Sequence, residues 1–193
     1  MKLAGPRLTG GTAKGARLFS IPGHEVRPAL ARMRISLFEI LRSRLIDARV
    51  IDLFAGTGSL GLEALSRGAS HALFLDVDRR CLEAIRKNLE KLRFADRAET
   101  REVDAFREVE RLEPAAIAFV DPPYRFYEER RDEMRRLVET LLARVVIDPE
   151  GRVVTEHRAK QGLGELAGGR IADERRYGDT VVTMYAPQRA GGG

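Results

Sequence analysis

From residue 49 onward the chain alternates short apolar runs with longer amphipathic stretches. The runs Arg49–Phe54, His71–Asp76, Glu99–Val103, Ala115–Val120 and Arg152–Glu156 are too short for helices and read as strands. The stretches Ser59–Arg67, Asp78–Leu92 and Arg131–Val145 space their apolar residues three or four apart and read as helices. Such alternation predicts an α/β fold, a mostly parallel sheet covered by helices on both faces with right-handed crossovers. Near the end, Arg170–Arg176 and Thr180–Tyr185 flank Tyr177-Gly178-Asp179, which predicts an antiparallel C-terminal hairpin and brings the sheet to seven strands.

Before residue 49 the pattern differs. Leu8 to Phe19 places two short apolar-containing runs around Gly10, Gly11 and Gly15, which suits a β-hairpin or an exposed loop. After Pro28, residues Leu30, Met33, Leu37, Ile40 and Leu41 recur at helical spacing, with Arg32, Arg34 and Arg42 between them. One face of that helix is expected to pack while the other stays positive.

Composition narrows the class. A chain of 193 residues that is 44% hydrophobic and 33% charged can bury a core and is not a disordered chain. No apolar run approaches the roughly 20 residues that span a bilayer, and the first twenty residues hold no signal-peptide-like apolar stretch, so a cytoplasmic protein is expected. The single cysteine, Cys81, allows no internal disulfide, and with His24, His71 and His157 it makes no metal-ligand spacing. No metal is expected.

Charge changes the picture through its distribution. The net charge is +5, yet residues 1–45 hold nine basic side chains (Lys2, Arg7, Lys14, Arg17, Arg27, Arg32, Arg34, Arg42, Arg44) against Glu25 and Glu39. The rest of the chain carries 25 basic and 27 acidic residues. This predicts a basic N-terminal extension over 1–45, a nearly neutral body over 46–188 and a small tail over 189–193. A solvated segment or one that meets a polyanion would both have that asymmetry.

Candidate chemistry begins at the first strand-to-helix turn, Asp52-Leu53-Phe54-Ala55-Gly56-Thr57-Gly58-Ser59-Leu60-Gly61. Glycines at 56, 58 and 61 let the backbone turn sharply at the carboxyl end of a strand, where open α/β sheets bind ligands. Asp76 ends the next strand, where a carboxylate can accept both ribose hydroxyls. An adenosine-containing cofactor follows from this combination, and NAD uses it as well as S-adenosylmethionine. Asp52 favours the latter, because it could anchor the loop or an ammonium group. Asp104, in Val103-Asp104-Ala105, could accept the adenine amino hydrogen bond or simply cap a helix. The candidate cofactor set is therefore Asp52, Phe54, Ala55, Gly56, Thr57, Gly58, Asp76, Val77, Asp104 and Ala105, with Asp121.

The fourth strand empties into Asp121-Pro122-Pro123-Tyr124. An exocyclic amine on a nucleobase is a poor nucleophile because its lone pair is delocalised into the ring. A carboxylate from Asp121 and a carbonyl from Pro122 that accept its two N–H bonds would aim the lone pair at a methyl sulfonium. Prolines 122 and 123 keep those oxygens fixed, and Tyr124 would stack on a base withdrawn from its helix.

Together these residues resemble the RsmD-type 16S ribosomal RNA guanine-N2 methyltransferases, with a Rossmann-like class I fold. The resemblance runs over nearly the whole chain. It includes Thr9 to Leu18, Arg27-Pro28 followed by Arg32-Met33-Arg34 and Leu37-Phe38, the stretch Asp52 to Ala69, and Asp121 to Tyr124. Ala29 departs from the family's usual threonine, and Asp76 from its common glutamate. The resemblance implies S-adenosylmethionine as cofactor and methyl transfer to N2 of one guanine in 16S rRNA, within the small subunit or an assembly intermediate. Lys14, Arg17, Arg27, Arg32 and Arg34 would then contact RNA. Rival readings are another nucleic-acid amino methylase, acting on DNA adenine N6 or a different RNA guanine, a silent RNA-binding assembly factor, and an NAD oxidoreductase. The last leaves Asp121 to Tyr124 unexplained.

Overall fold

The computed structural model describes residues 5–21 and 28–188. Its strands are β1 (Arg49–Asp52), β2 (His71–Asp76), β3 (Ala98–Glu102), β4 (Ile117–Val120), β5 (Arg152–Arg158), β6 (Gly169–Tyr177) and β7 (Thr180–Pro187). They form one seven-stranded sheet in the order β3-β2-β1-β4-β5-β7-β6. The first five strands are parallel, and β7 runs antiparallel between β5 and β6. This is the expected α/β sheet with its C-terminal hairpin. Around it lie α1 (Pro28–Ile40), α2 (Arg42–Leu45), α3 (Ser59–Ser66), α4 (Arg79–Leu92), α5 (Ala105–Glu108), α6 (Phe126–Glu129) and α7 (Arg131–Thr140). No helix among the described residues is long and apolar enough to cross a membrane.

Strand alternation divides the core into two layers. Val50, Ala72, Phe74, Ile117 and Phe119 face one layer, which also holds Leu37, Leu41, Leu62 and Ile85 from the α1, α3 and α4 side. Ile51, Leu73, Leu75, Ala118 and Val120 face the other, closed by Met134, Leu137 and Val138 of α7. The first layer explains Gly61: a Cβ there would stand 2.3 Å from Cε1 of Phe74. The third glycine of the loop thus lets α3 press against β2.

The leader forms a short hairpin, with an antiparallel bridge between Arg7 and Arg17. Leu8 N donates to Ala16 O (3.0 Å) and Leu18 N to Pro6 O (2.9 Å). It is fastened to the body. Leu8 and Leu18 belong to the same core layer as Val50 of β1. Thr9 N and Oγ1 both donate to the fully buried Glu63 carboxylate at 2.8 and 2.7 Å, and Arg67 Nε donates to it at 2.8 Å. Thr12 N donates to Ser66 O (2.7 Å), and the buried Asn88 side chain pairs with both backbone groups of Phe19. A loop tied only to solvent would make none of these bonds.

One helical residue departs from the pattern-based expectation. The alternation of charge along α1 puts Arg34 on the positive outer face, but it is 5% exposed and one guanidinium nitrogen donates to Arg7 O at 3.1 Å. Its position explains this. It precedes Leu37, Phe38 and Leu41 by three, four and seven residues, which places it on the packing stripe. Lys14, Arg17 and Arg32 are exposed as expected, while Arg27 and the tail 189–193 lie outside the described residues.

Because the leader shares the core, Leu18→Ala should destabilise the whole protein by about 2–5 kcal/mol. Urea unfolding should show one transition moved to lower denaturant, and a separate early leader transition would contradict the shared core.

Candidate functional site

Parallel register brings the carboxyl ends of β1 to β5 to a single edge, and with them the side chains of Asp52, Asp76, Asp104, Asp121 and Glu156. A cavity of about 690 Å³ opens there. It is lined by Phe54, Ala55, Gly56 and Thr57 of the glycine loop, by Asp76 and Val77, by Asp104 and Ala105, and by Asp121, Pro122, Pro123 and Tyr124. The sequence-derived set therefore converges, except for two residues that act from behind. Asp52 is 1% exposed and its Oδ2 accepts Gly61 N at 3.1 Å, so it holds the loop to the start of α3. Gly58, at φ +79°, supplies the left-handed turn into α3, and a Cβ there would meet Ile85 at 2.8 Å.

The remaining acidic residues shape the cofactor half of the cavity. Asp76 uses one oxygen to accept Gly56 N at 2.7 Å and the other to accept Asp78 N at 2.8 Å, so the carboxylate is locked in place at the loop. Each oxygen retains acceptor capacity for a hydroxyl. Asp104 does cap α5, its Oδ1 accepting Phe106 N at 2.9 Å, yet it also lines the cavity, and a carboxylate has acceptor capacity beyond that one bond. Phe54, Phe106 and Phe126 meet edge to face or tilted, with centroids 5.6 to 6.3 Å apart, and Arg130 lies 3.9 Å over Phe106. A carboxylate for a ribose, an acceptor for an adenine amine and an apolar aromatic wall together fit an adenosine group. Cys81 also borders this half, but burial and the nearby Asp76 and Asp78 push its thiol up to about 12, so it stays protonated.

The other half is built on Asp121. Its carboxyl is raised well above the ordinary aspartate range, first by burial and then by the charges of Glu156 and Asp52. Tyr124 is half-buried, its hydroxyl donates to Glu156 Oε1 at 2.9 Å and lies 3.3 Å from Thr180 Oγ1, and Arg158 stands 5.2 Å over its ring. Burial pushes the Tyr124 phenol up to about 12. Sequence reasoning missed two residues here, Glu156 as a site residue and Arg34 as a cavity residue, both buried and both lining the cavity. A signal existed for each: Arg34 lies on the apolar stripe of α1, and Glu156 follows the strand residues Val153–Thr155 at the carboxyl end of the sheet.

The Asp52 carboxyl is raised to about 7, chiefly by burial and further by Asp76, while the Gly61 N–H opposes the shift. A raised acid binds its proton more tightly in the folded state. Stability from this group is therefore greatest below pH 4 and declines as pH rises toward 7, by up to about 4 kcal/mol. Asp52→Asn keeps an acceptor for Gly61 N and removes that charge. The variant should melt higher than the parent at pH 8 and show a smaller difference at pH 5; equal melting temperatures at both would contradict a buried charge.

The model of the family described as conserved hypothetical protein 95 matches residues 6–186 of this chain. Ribosomal RNA small subunit methyltransferase D of Escherichia coli strain K12 is 29% identical over 186 residues, 96% of this chain and 91% of that protein. A solved structure of the Escherichia coli protein yhhF, provisionally described as a methyltransferase, superposes with a TM-score of 0.82 at 31% identity, covering 95% of this chain and 98% of that one. A hypothetical protein of Thermus thermophilus superposes with a TM-score of 0.72 at 28% identity, over 93% and 98% of the two chains. With cavity, fold and family model in agreement from leader to last strand, the chain belongs to the conserved hypothetical protein 95 family, the RsmD-type S-adenosylmethionine-dependent methyltransferases.

Proposed function

We propose that the protein methylates the exocyclic N2 of a guanine in 16S rRNA of the small ribosomal subunit, with Asp121 to Tyr124 holding the base. The observation that carries this is the opening of Asp121, Pro122, Pro123 and Tyr124 into the same cavity as Asp76 and the glycine loop. The name of the Escherichia coli relative supports a small-subunit rRNA substrate, and the resemblance in motifs supports guanine N2.

S-adenosylmethionine supplies an electrophilic methyl carbon on a sulfonium. Asp76 and Asp104 would hold its ribose and adenine, and Phe54 to Thr57 would pass its chain toward Asp121. The Asp121 carboxylate and the Pro122 carbonyl accept the two N–H bonds of the guanine amine, which localises the nitrogen lone pair and aims it. With that methyl donor bound, the amine nitrogen would take the methyl carbon as the sulfur–carbon bond broke, the bonding pair returning to sulfur. The surplus amine proton passes to Asp121, whose raised affinity for protons suits an acceptor in the site. No covalent enzyme intermediate is needed, in keeping with a protonated Cys81. Tyr124, tethered through its hydroxyl, presents its ring for stacking on the withdrawn base.

The leader supplies the RNA grip in this reading, through exposed Lys14, Arg17 and Arg32, with Arg27 and Arg34 completing the predicted set. Residues 1–45 are then an RNA-contacting extension by function, 46–188 the methyl-transfer body and 189–193 a tail.

Labelled S-adenosylmethionine incubated with unmethylated small subunits, naked rRNA and DNA, followed by nucleoside mapping, tests the proposal. N2-methylguanine in 16S rRNA is expected; N6-methyladenine or label in DNA would overturn it. Asp121→Ala should lower kcat by roughly 100-fold or more while S-adenosylhomocysteine binding changes only slightly. Since Asp121 must be ionised to accept the amine and its carboxyl is raised, kcat/KM should climb with pH along an acid limb well above pH 4. Charge reversal at Lys14 and Arg17 should weaken subunit binding and flatten its salt dependence, and unchanged affinity at low salt would remove the leader from the interface.

A further inference from the structure

The catalytic tetrad accounts for the amine of the target base and leaves the rest of that base unmet. Guanine presents, in a row along its Watson–Crick edge, the N2 amine, the N1–H donor and the O6 acceptor. If Asp121 and Pro122 take the amine, selectivity depends on what faces the next two positions.

Two buried charged side chains that the methyl transfer itself does not use, Glu156 and Arg34, line the same cavity as Asp121. Val120 pairs with Thr155 across β4 and β5, so Asp121 and Glu156 are the next positions on neighbouring parallel strands. Glu156 is 7% exposed, lines the cavity and is steadied through Oε1 by the Tyr124 hydroxyl. Arg34 reaches the same cavity from α1 and feels the charge of Glu156. One of its nitrogens donates to Arg7 O, but Nε is buried and has no hydrogen-bond partner among the described residues. A buried charged N–H without an acceptor costs free energy, so Arg34 is held at the cavity wall with more donor capacity than its partners among the described residues take up.

On the guanine reading above, we infer that Glu156 and Arg34 read the Watson–Crick edge, the Glu156 carboxylate accepting N1–H and the Arg34 guanidinium donating to O6. Asp121 and Glu156, neighbours across β4 and β5, would then take the amine and N1–H, leaving O6 to Arg34 on the same cavity wall. Adenine is rejected by the same groups, because its N1 carries a lone pair that would face the carboxylate and its amine would face the guanidinium. Discrimination comes from leaving buried polar groups without partners when the wrong base enters.

The test exchanges the target guanine for 2-aminopurine, which keeps the 2-amine but has neither N1–H nor O6, in a reconstituted subunit. Wild-type protein should methylate guanine on the order of 10-fold to 100-fold faster in kcat/KM than 2-aminopurine. Glu156→Gln preserves an acceptor for Tyr124, and its amide can donate to the bare N1. It should lower guanine turnover and raise the ratio of 2-aminopurine to guanine turnover at least tenfold, with S-adenosylhomocysteine affinity unchanged. Arg34→Met should raise the same ratio by removing the demand for O6. A purely structural Glu156 would slow both bases equally, and that unchanged ratio overturns the inference. Wild-type protein that accepts 2-aminopurine as readily as guanine overturns it without any variant. A wild-type product other than N2-methylguanine overturns the reading on which it rests as well, so the two failures are told apart by mapping the product first.

Discussion

Five carboxylates gathered at one end of a parallel sheet must be kept partly out of water, and the means of compensating them governs the local structure. Backbone N–H groups answer three of them: Gly61 N for Asp52, Gly56 N and Asp78 N for Asp76, and Phe106 N for Asp104. Each of those donors lies in a loop or at the first turn of a helix that begins where a strand ends, so chain direction itself delivers the compensation. Glu156 receives a phenol instead. Asp121 is raised by burial and by two like charges, with no hydrogen-bond donor among the described residues to offset them, which is the environment expected of the proposed proton acceptor. The negative edge is thus stabilised by fixed donors around one carboxyl, Asp121, that holds its proton more tightly than an ordinary aspartate.

This arrangement also explains why the sheet and the cofactor half of the site are legible in the sequence. Strand ends in a parallel sheet converge by topology, so Asp76, Asp104 and Asp121 can be placed together from the order of apolar runs alone. The lengths of elements are less readable. β1 stops at Asp52 rather than Phe54 because the glycine loop turns away there, even though Leu53 N still reaches Phe119 O at 3.0 Å. β5 runs on to Arg158 because β7 pairs with it that far.

The base-facing half is harder to read, for two physical reasons. Arg34 lies at helical spacing from Leu37, Phe38 and Leu41, but a charge on an apolar stripe reads as an outward interruption until the packing shows it turned inward. Glu156 occupies an edge whose depth is set by β7, a strand that arrives later in the chain and from the opposite direction. A charge in sequence reads as outward by default, and burial of a charged group is a tertiary outcome. Asp52 and Gly58 show the converse. Asp52 has a motif position that fits either anchoring the loop or meeting an ammonium group, and its bond to Gly61 N is the loop anchor; Gly58 supplies the turn behind it.

The fastening of the leader to Glu63, Ser66 and Asn88 has a consequence for timing. The Thr9 and Phe19 contacts join residues more than fifty positions apart, so the place of the hairpin on the body depends on α3 and α4 being docked. Its ordering entropy is settled in folding and not at the moment of encounter. Lys14 and Arg17 are carried on a hairpin already fastened to the body, so a polyanion docking on them would cost little further ordering of the chain. The position of Lys14 and Arg17 therefore depends, through Glu63 and Ser66, on the integrity of the same helix whose N-terminus carries the glycine loop.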